Sequence, residues 1–367
     1  MKRFLAVLLC AALLLPNTAL AEGKTEKVPA QAAYLIEANS GRVLYAKNEN
    51  MRLPMASTTK IMTALLAAES GRLTETVTVP DDAVGTEGSS MYLKAGETIP
   101  LIDLVYGLML TSGNDAAVAI ACFLDGSTEA FAARMNARAA KLGLSDTHFV
   151  TPNGLHDPDH YTTAKDLARL GAAALENPFF AEIVSTQYRK TEGSNPHTLK
   201  NKNRLLWEYE GGIGVKTGYT KAAGKCLVFA AERGEMKLVG ALLNCPTMWN
   251  TAKSMLDAGF RDYRVKMFLS RETFFSVPVE NGVKKTLSAA PILAILYPTE
   301  ADGEEVYTVE TSFDACAAPI RAGQQVGTAK LLRNGTAVKT VPIVARETVD
   351  AVGFPYYLKK AVLSFLG

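Results

Sequence analysis

The chain has 367 residues, of which 48% are hydrophobic, and its formal net charge is +2. This length is more than one hydrophobic core usually takes, so the sequence predicts two domains. Lys2 and Arg3 are the charged residues among the first 21, which leaves a net charge of zero for the rest of the chain. Nucleic-acid-binding proteins usually carry a basic excess, so we expect no nucleic-acid partner.

Residues 1–21 are typical of a secretory signal peptide. Lys2 and Arg3 precede an apolar run over 4–15, and Ala-Leu-Ala at 19–21 is a small-x-small cleavage site. The apolar run is shorter than the roughly 20 residues that span a bilayer, which favours cleavage over a membrane anchor. We therefore expect a secreted, extracytoplasmic protein.

The next region predicts strands, then helices, then strands again. Two apolar runs over 33–46 flank Asn39, Ser40 and Gly41, as in a β-hairpin. Helical spacing of apolar residues follows over 57–69, 101–110, 115–123, 128–142 and 163–176, where Pro178 stops the last helix. Short β runs occupy 214–217, 225–231 and 237–243, before a helix over 250–260. The late strands must pair with the first hairpin, which predicts an α/β fold whose sheet carries a helical cluster.

Helical periodicity disappears from about residue 263, which predicts a C-terminal all-β domain over 263–347. Its short β runs are expected over 274–279, 292–296, 306–311, 325–332 and 338–344. The tail, 354–367, places Leu358, Ala361, Val362 and Phe365 on one helical face. Such an amphipathic helix either lies on a membrane surface or packs on the β domain. We expect association with the outer face of the cytoplasmic membrane.

Cysteines and histidines predict no metal or other cofactor. The cysteines beyond the signal are widely and irregularly spaced and are expected to be buried small hydrophobes: Cys122, Cys226, Cys245 and Cys316. The four histidines show no zinc-ligand spacing. His156, Asp157 and His160 crowd one loop, for which hydrogen bonding within the loop is the preferred interpretation.

Three short motifs carry the candidate chemistry, and they occur in the order Ser-Thr-Thr-Lys at 57–60, Ser-Gly-Asn at 112–114 and Lys-Thr-Gly at 216–218. Ser57 and Lys60 are three apart at a helix start and therefore share a face. A serine hydroxyl needs a base, and a lysine acts as one only when burial or a nearby cation lowers its pKa. Each motif alone is more often structural; together they supply the parts of an acyl-transfer site.

The second and third motifs supply proton transfer and substrate binding. Ser112 and Asn114 lie on a turn between two helices, where they offer a shuttling hydroxyl and an amide for the substrate. Lys216 and Thr217 offer a cation and a hydroxyl to a substrate carboxylate, and we expect the fold to bring Lys216 close enough to lower the pKa of Lys60. Gly218 allows close approach of substrate backbone at a sheet edge.

These motifs resemble those of the low-molecular-mass penicillin-binding proteins that act as serine D-alanyl-D-alanine carboxypeptidases. The likeness extends over residues 28–262 and includes the segments 88–90, 151–155, 160–164 and 216–220. The β domain and the tail also resemble the C-terminal parts of that family. The resemblance implies a penicillin-binding, β-lactamase-like sheet with its helical cluster. It implies removal of the terminal D-alanine from the pentapeptide stems of peptidoglycan, and acylation by β-lactams.

The resemblance also implies a role for each site residue. Ser57 is the nucleophile of the acyl-enzyme, Lys60 accepts its proton and Ser112 shuttles it. Asn114 contacts the substrate amide. Lys216 binds the terminal carboxylate with help from Thr217 and Gly218. The backbone N–H groups of Ser57 and Tyr219 form the oxyanion hole.

Three alternatives remain open from the sequence. A class A β-lactamase shares two of the motifs but usually carries a Glu-x-x-Leu-Asn segment, which this chain lacks. A non-enzymatic wall-binding or sporulation-linked protein would retain the pocket without its activity, which the intact Ser57, Lys60, Ser112 and Lys216 disfavour. A D,D-endopeptidase would use the same residues and cannot be separated by sequence.

Overall fold

The computed structural model describes residues 28–354, 356–358, 361 and 362. The predicted signal peptide and part of the predicted tail, including Phe365, lie outside the described residues. The chain begins with β1 (Ala32–Glu37) and β2 (Val43–Lys47) and returns to the same sheet with β7 (Gly212–Thr220), β8 (Gly224–Arg233) and β9 (Met236–Leu243). The spatial order is β2-β1-β9-β8-β7, and every neighbouring pair is antiparallel. The late strands therefore pair with the first hairpin, as predicted.

Within the described residues, seven helices lie between the two halves of this sheet, and an eighth follows β9. They are α1 (Lys60–Glu69), α2 (Leu101–Leu110), α3 (Asn114–Asp125), α4 (Thr128–Lys141), α5 (Ala164–Leu175), α6 (Pro178–Ser185), α7 (Leu205–Glu208) and α8 (Met248–Asp262). Two short 3₁₀ turns, Ala56–Thr59 and Asp81–Ala83, accompany them. Pro178 was predicted only to stop a helix. It instead occupies the first turn of α6 behind the Asn177 cap, a position where its missing N–H costs no hydrogen bond.

Both faces of the sheet are buried, because helices cover each of them. Along β1, Ala32, Tyr34 and Ile36 pack into the helical cluster formed mainly by α1 to α6. The alternate residues Ala33 and Leu35 pack with α8 on the other face. This arrangement explains why β1 is apolar on both sides and buried throughout. The predicted α/β sheet with a helical cluster is therefore observed.

Two small hairpins flank the helical cluster and were not predicted. β3 (Thr76–Thr78) pairs with β4 (Thr98–Pro100), and β5 (Tyr188–Lys190) pairs with β6 (Thr198–Lys200). Each strand has three residues, too few for a period-two pattern to stand out in the sequence.

The C-terminal region is all β, as predicted, with two small differences from the expected strands. Its strands are β10 (Tyr263–Leu269), β11 (Phe275–Pro278), β12 (Thr286–Pro291), β13 (Ile295–Glu300), β14 (Tyr307–Phe313), β15 (Gln325–Arg333) and β16 (Thr336–Ala345). β10 and β12 were not predicted. The strand expected at 292–296 begins only at Ile295, because Ile292 and Leu293 form an exposed bend. Five of these strands form one sheet in the order β11-β12-β16-β15-β14, and β10 pairs with β13.

Arg42, in the turn between β1 and β2, inserts into this β region. Its guanidinium donates to the Pro298 carbonyl at 2.7 Å and to the Tyr307 hydroxyl at 2.6 Å. It also pairs with Glu305 at 2.9 Å and Glu300 at 3.3 Å. The Arg42 side chain is buried, so these bonds join the two parts of the chain through one desolvated cation.

Among the described residues, no single helix is long and apolar enough to cross a membrane; α3 and α4 pass that test only as a pair, bent by 84°. The four described cysteines are free thiols, of which Cys226, Cys245 and Cys316 are buried and Cys122 is half-buried.

Candidate active site

Ser57 lies on a tight 3₁₀ turn that leads directly into α1. Ala56, just before it, adopts a φ of +49°, which non-glycine residues rarely do. The Thr58 hydroxyl donates to the Met55 carbonyl at 2.6 Å, and the Thr59 hydroxyl donates to the Ala56 carbonyl at 2.9 Å. Two side chains of the motif therefore brace the turn, which leaves Ser57 as its half-buried polar residue facing the site.

Lys60 places its amine against Ser57. Its Nζ lies 2.9 Å from the Ser57 Oγ, 2.6 Å from the Asn114 Oδ1 and 2.6 Å from the Asn153 carbonyl oxygen. A neutral amine has two N–H donors and one lone pair. The Asn114 and Asn153 oxygens accept from the two N–H groups, so the lone pair of neutral Lys60 is directed at the Ser57 hydroxyl.

The surroundings favour the neutral form of Lys60. Its side chain is fully buried, and burial is the main cause that lowers its pKa well below the ordinary value. The positive charges of Lys216 and Lys202 lower it further, against the opposing effect of Asp115. The pKa of Lys216 is itself lowered to about 7, first by burial and then by Lys202. Burial and neighbouring positive charge therefore act together on Lys60, which is the condition under which a lysine acts as a base.

The second motif forms the link between α2 and α3. Ser112 is buried and has a φ of +68°. Among the described residues, its hydroxyl makes no hydrogen bond to Lys60 or Lys216. Asn114 is the first residue of α3, and Gly113 rather than Ser112 is its N-cap. The Asn114 side chain bonds Lys60 and also donates to the Glu87 carbonyl, so it connects the base with the segment before Gly88.

Asp115 holds that segment over the site. Its buried carboxylate accepts hydrogen bonds from the Ser90 hydroxyl at 2.6 Å and from the Met91 and Leu93 backbone N–H groups at 3.0 and 3.1 Å. The Asn114 N–H donates to the Ser89 carbonyl at 2.7 Å. The 88–90 segment is thereby fixed beside the 112–114 turn.

The third motif lies within β7, the edge strand of the sheet. Lys216 is almost fully buried, Thr217 is half-buried and Tyr219 is 65% exposed. Gly218 lies against the Ser57 turn: a Cβ added there would come within 3.0 Å of the Ser57 nitrogen. A larger residue at 218 would have to push β7 away from the nucleophile turn, so glycine favours this close approach. The structure therefore brings Ser57, Lys60, Asn114, Lys216 and Gly218 together. Ser112 lies on the turn before Asn114, and Thr217 and Tyr219 lie beside Gly218 on β7.

The segment 151–155 supports the site from behind, a role that the sequence pattern did not reveal. Besides the Asn153 carbonyl on Lys60, the Pro152 carbonyl accepts from the Thr63 hydroxyl at 2.6 Å. Gly154 has a φ of +85°, and a Cβ there would lie 2.0 Å from the Ala56 carbonyl oxygen. Asn153 and Gly154 therefore contribute to the site through backbone atoms. The contact of the Asn153 carbonyl with Lys60 joins residues about 90 positions apart in the chain.

His160 braces the same turn. Its Nδ1 accepts from the Val150 N–H at 2.9 Å, so the Nε2 carries the proton and donates to the Thr59 Oγ1 at 2.7 Å. Burial lowers the pKa of His160 to about 4, which keeps the ring neutral. Hydrogen bonding within the loop was the preferred interpretation of this histidine, and its ring is hydrogen-bonded, but to Val150 and Thr59 outside the 156–160 loop. Its reach to the nucleophile turn was not foreseen.

Lys202 is a further cation, and it was not among the residues predicted for the site. Its N–H donates to the Leu110 carbonyl at 3.1 Å, at the end of α2, and its charge acts on both Lys60 and Lys216. It lies outside the three motifs, so only the folded arrangement reveals it. A separate cavity of about 700 Å³ borders the 151–155 segment through Thr151, Pro152, Asn153 and Leu155, and its lining includes none of the three lysines.

Comparisons with known proteins agree with this geometry. Residues 18–247 match the D-alanyl-D-alanine carboxypeptidase family, and residues 264–351 match the C-terminal domain of penicillin-binding protein 5. The D-alanyl-D-alanine carboxypeptidase DacF of Bacillus subtilis is 35% identical over 99% of this chain and 98% of its own length. DacC of Escherichia coli is 34% identical over 92% of this chain and 89% of its own length.

A solved structure is similar over nearly the same extent. Penicillin-binding protein 5 from Haemophilus influenzae superposes with a TM-score of 0.76 at 27% identity, covering 89% of this chain and 99% of that protein. The resemblance inferred from the three motifs and the predicted fold class are both confirmed. The chain therefore belongs to the D-alanyl-D-alanine carboxypeptidase family.

Proposed function

We propose that the protein is a serine D-alanyl-D-alanine carboxypeptidase that removes the terminal D-alanine from peptidoglycan pentapeptide stems. The observation that carries the proposal is the 2.9 Å contact between the Ser57 Oγ and the Lys60 Nζ, whose N–H groups are held by Asn114 and Asn153. This arrangement suits attack by Ser57 on a peptide carbonyl. Membership of the D-alanyl-D-alanine carboxypeptidase family indicates that the bond cleaved is the one between the two D-alanine residues.

In the proposed reaction, neutral Lys60 takes the Ser57 proton while the Oγ attacks the carbonyl of the penultimate D-alanine. The backbone N–H groups of Ser57 and Tyr219 stabilise the developing oxyanion. Breaking the peptide bond releases D-alanine, whose amine receives a proton from Lys60 through Ser112. Water then hydrolyses the ester on Ser57.

Substrate binding relies on the sheet edge. Lys216 and Thr217 contact the terminal carboxylate, Gly218 admits the substrate backbone, and Asn114 contacts the substrate amide as well as Lys60. Since a β-lactam presents a similar acyl group and carboxylate, we propose that β-lactams acylate Ser57.

We further propose that residues 1–21 are removed on export, that 28–262 form the catalytic domain, and that 263–347 form a β domain. The tail is proposed to associate with the outer face of the cytoplasmic membrane. In support, its described residues are helical and expose apolar side chains, among them Phe354, Tyr357, Leu358 and Val362.

The test is incubation of the purified protein with a fluorescent penicillin, followed by mass spectrometry of the labelled peptide and by measurement of D-alanine release from a pentapeptide. We expect a stable adduct on Ser57 and release of one D-alanine per peptide. Ser57→Ala should abolish both, whereas Ser70→Ala, at the end of α1, should retain both. Rapid drug loss without retained label would indicate a β-lactamase. Absence of both label and turnover would indicate a non-catalytic pocket.

A further inference from the structure

Two aromatic side chains are exposed together on the surface formed by the β5–β6 hairpin and α7. Tyr188 is 57% exposed and Trp207 is 41% exposed. Their rings meet edge to face with centroids 5.3 Å apart. The Lys200 Nζ lies 5.6 Å from the Tyr188 ring centre and 5.4 Å from that of Trp207. We name these three residues the aromatic platform.

The platform is held rigidly. Arg189, next to Tyr188, donates to the buried Asp103 carboxylate at 2.9 Å. The Gln187 side chain donates to the Leu206 carbonyl at 3.0 Å, which joins the hairpin to α7. The Asn201 side chain donates to the Val184 and Thr186 carbonyls at 3.1 and 3.0 Å. Because these bonds fix the surrounding backbone, the rings are presented with little conformational freedom left to lose on binding.

The surface around the platform is basic. The segment 188–208, which contains the hairpin and α7, has five lysines and arginines and two glutamates. Arg189 and Arg204 are paired with Asp103 and Glu208. Among the described residues, Lys190, Lys200 and Lys202 form no ion pair. The surface therefore offers unpaired positive charge next to exposed aromatic rings, in a chain whose charges otherwise nearly balance.

The platform is linked to the second motif through the backbone. Lys200 ends β6, and the backbone N–H of Lys202, two residues later, donates to the Leu110 carbonyl at 3.1 Å, at the end of α2 and two residues before Ser112. A polymer whose peptide branch enters the site past Lys202 would pass over the platform. Flat ring faces pack well against the C–H faces of sugar rings, and lysines attract carboxylates.

We propose that the aromatic platform binds the glycan strand of peptidoglycan, the amino-sugar polymer that carries the acidic stem peptides. The proposal rests on the proposed function, because it assigns to that substrate a second contact outside the catalytic site. Trp207 and Tyr188 pack against sugar rings, and Lys200 attracts the carboxylates along the polymer. The enzyme would then favour stems attached to a strand over free peptides.

The experiment measures two quantities for the purified full chain: binding to peptidoglycan sacculi after Ser57 has been blocked with a β-lactam, and kcat/KM on a free pentapeptide. Trp207→Ala, Tyr188→Ser and Lys200→Gln are expected to weaken sacculus binding by roughly threefold to tenfold. Pentapeptide hydrolysis should stay unchanged. Tyr188→Ser and Lys200→Gln alter exposed positions, so they keep the test valid if Trp207→Ala fails to fold.

Phe274→Ser is the matched control, since Phe274 is an aromatic residue in the β region with 64% exposure. It should leave both quantities unchanged. Glycan strands freed of their peptides by an amidase should still compete with sacculi for the wild-type protein. Unchanged sacculus binding in folded platform variants, an equal loss on the pentapeptide, or no competition by bare glycan would overturn the proposal. If the wild type binds sacculi through the platform but hydrolyses no pentapeptide, the proposed carboxypeptidase function is wrong, whereas glycan binding by the aromatic platform is still supported.

Discussion

The backbone carbonyl of Asn153 accepts a 2.6 Å hydrogen bond from the Lys60 amine. Together with the Asn114 Oδ1, it occupies both N–H groups of the neutral lysine, so the lone pair points at Ser57. Two fixed acceptors therefore orient the base, and burial with neighbouring cations keeps it unprotonated. The orientation of the Lys60 amine and the pKa of Lys60 have separate structural causes, so each can be tested on its own.

Lys60→Arg tests the need for a neutral base. A guanidinium keeps its proton at any pH that proteins tolerate, so it cannot accept one from Ser57. We expect the rate of acylation by a fluorescent penicillin to fall on the order of 10⁶-fold. Lys190→Arg, the same change at an exposed position, should have no effect. An arginine variant that acylates normally would exclude Lys60 as the base.

Lys202→Gln tests whether neighbouring positive charge lowers the pKa of Lys60. Removing this cation raises the pKa of Lys60 and of Lys216, since its charge lowers both in the wild type. Less Lys60 is then neutral at a given pH on the acid limb of the acylation profile, so this limb should move to higher pH and the rate measured along it should fall several-fold. Lys202→Arg retains the charge and should keep the wild-type profile. A profile that is identical in Lys202→Gln would show that Lys202 does not tune the base.

Gly154→Ala tests the support behind the nucleophile turn. The new Cβ would lie 2.0 Å from the Ala56 carbonyl oxygen, which must move and carry Ser57 with it. We expect acylation to slow about 100-fold, the scale of a 1 Å misplacement of reacting groups. Gly143→Ala is the matched control: its φ is also positive, +69°, but nothing lies within 4 Å of the added Cβ. Both variants should lose about 1 kcal/mol of stability from backbone strain, and only Gly154→Ala should lose activity.

The residues expected to carry out the reaction were easier to predict from the sequence than the residues that hold them in place. Short sequence motifs contain Ser57, Lys60, Asn114 and Lys216, and a motif of this kind can be recognised from the amino-acid sequence alone. Asn153 acts through its carbonyl, which any residue provides, and His160 reaches Thr59 across 101 positions. Such roles depend on tertiary contact, which no local pattern records.

The same limit applies to the fold. The hairpin at 33–46 and helices α1 to α5 were predicted because their apolar spacing repeats over many residues, whereas the shorter α6 was not predicted. The bend at Ile292 and Leu293 is apolar yet exposed, so it resembled the start of a strand. Three-residue strands such as β5 are too short for a period to be recognised.

His160→Gln tests the pH dependence of stability. The folded-state pKa of His160 is about 4, below the ordinary value of 6.5, so the unfolded chain takes up this proton first as the pH falls. Its neutral form therefore contributes stability that is complete above pH 6.5 and is lost as the pH falls toward 4. We expect a loss of about 3 kcal/mol from this group across that window.

Glutamine retains a donor and an acceptor without titrating, so the free energy of unfolding of His160→Gln should depend less on pH between 6.5 and 4. His156→Gln, at an exposed position in the same loop, should keep the wild-type dependence. The measurement is denaturant unfolding at several pH values. Equal slopes for the wild type and His160→Gln would mean that His160 is not the group responsible.

Arg42→Ala tests the junction between the two parts of the chain. The wild-type guanidinium is buried among Glu300, Glu305 and Tyr307, and its loss leaves the two carboxylates without their shared cation. Because both glutamates are partly exposed, we expect a loss of about 2–3 kcal/mol, less than for a fully buried pair. Thermal unfolding should show the β region separating from the catalytic region at lower temperature, while pentapeptide hydrolysis at 25 °C stays unchanged.

Arg321→Ala is the control for Arg42→Ala. It removes an exposed arginine 3.8 Å from Asp350 and should leave the melting temperature unchanged. If Arg42→Ala melts like the wild type, the junction is held by the surrounding packing rather than by this cation.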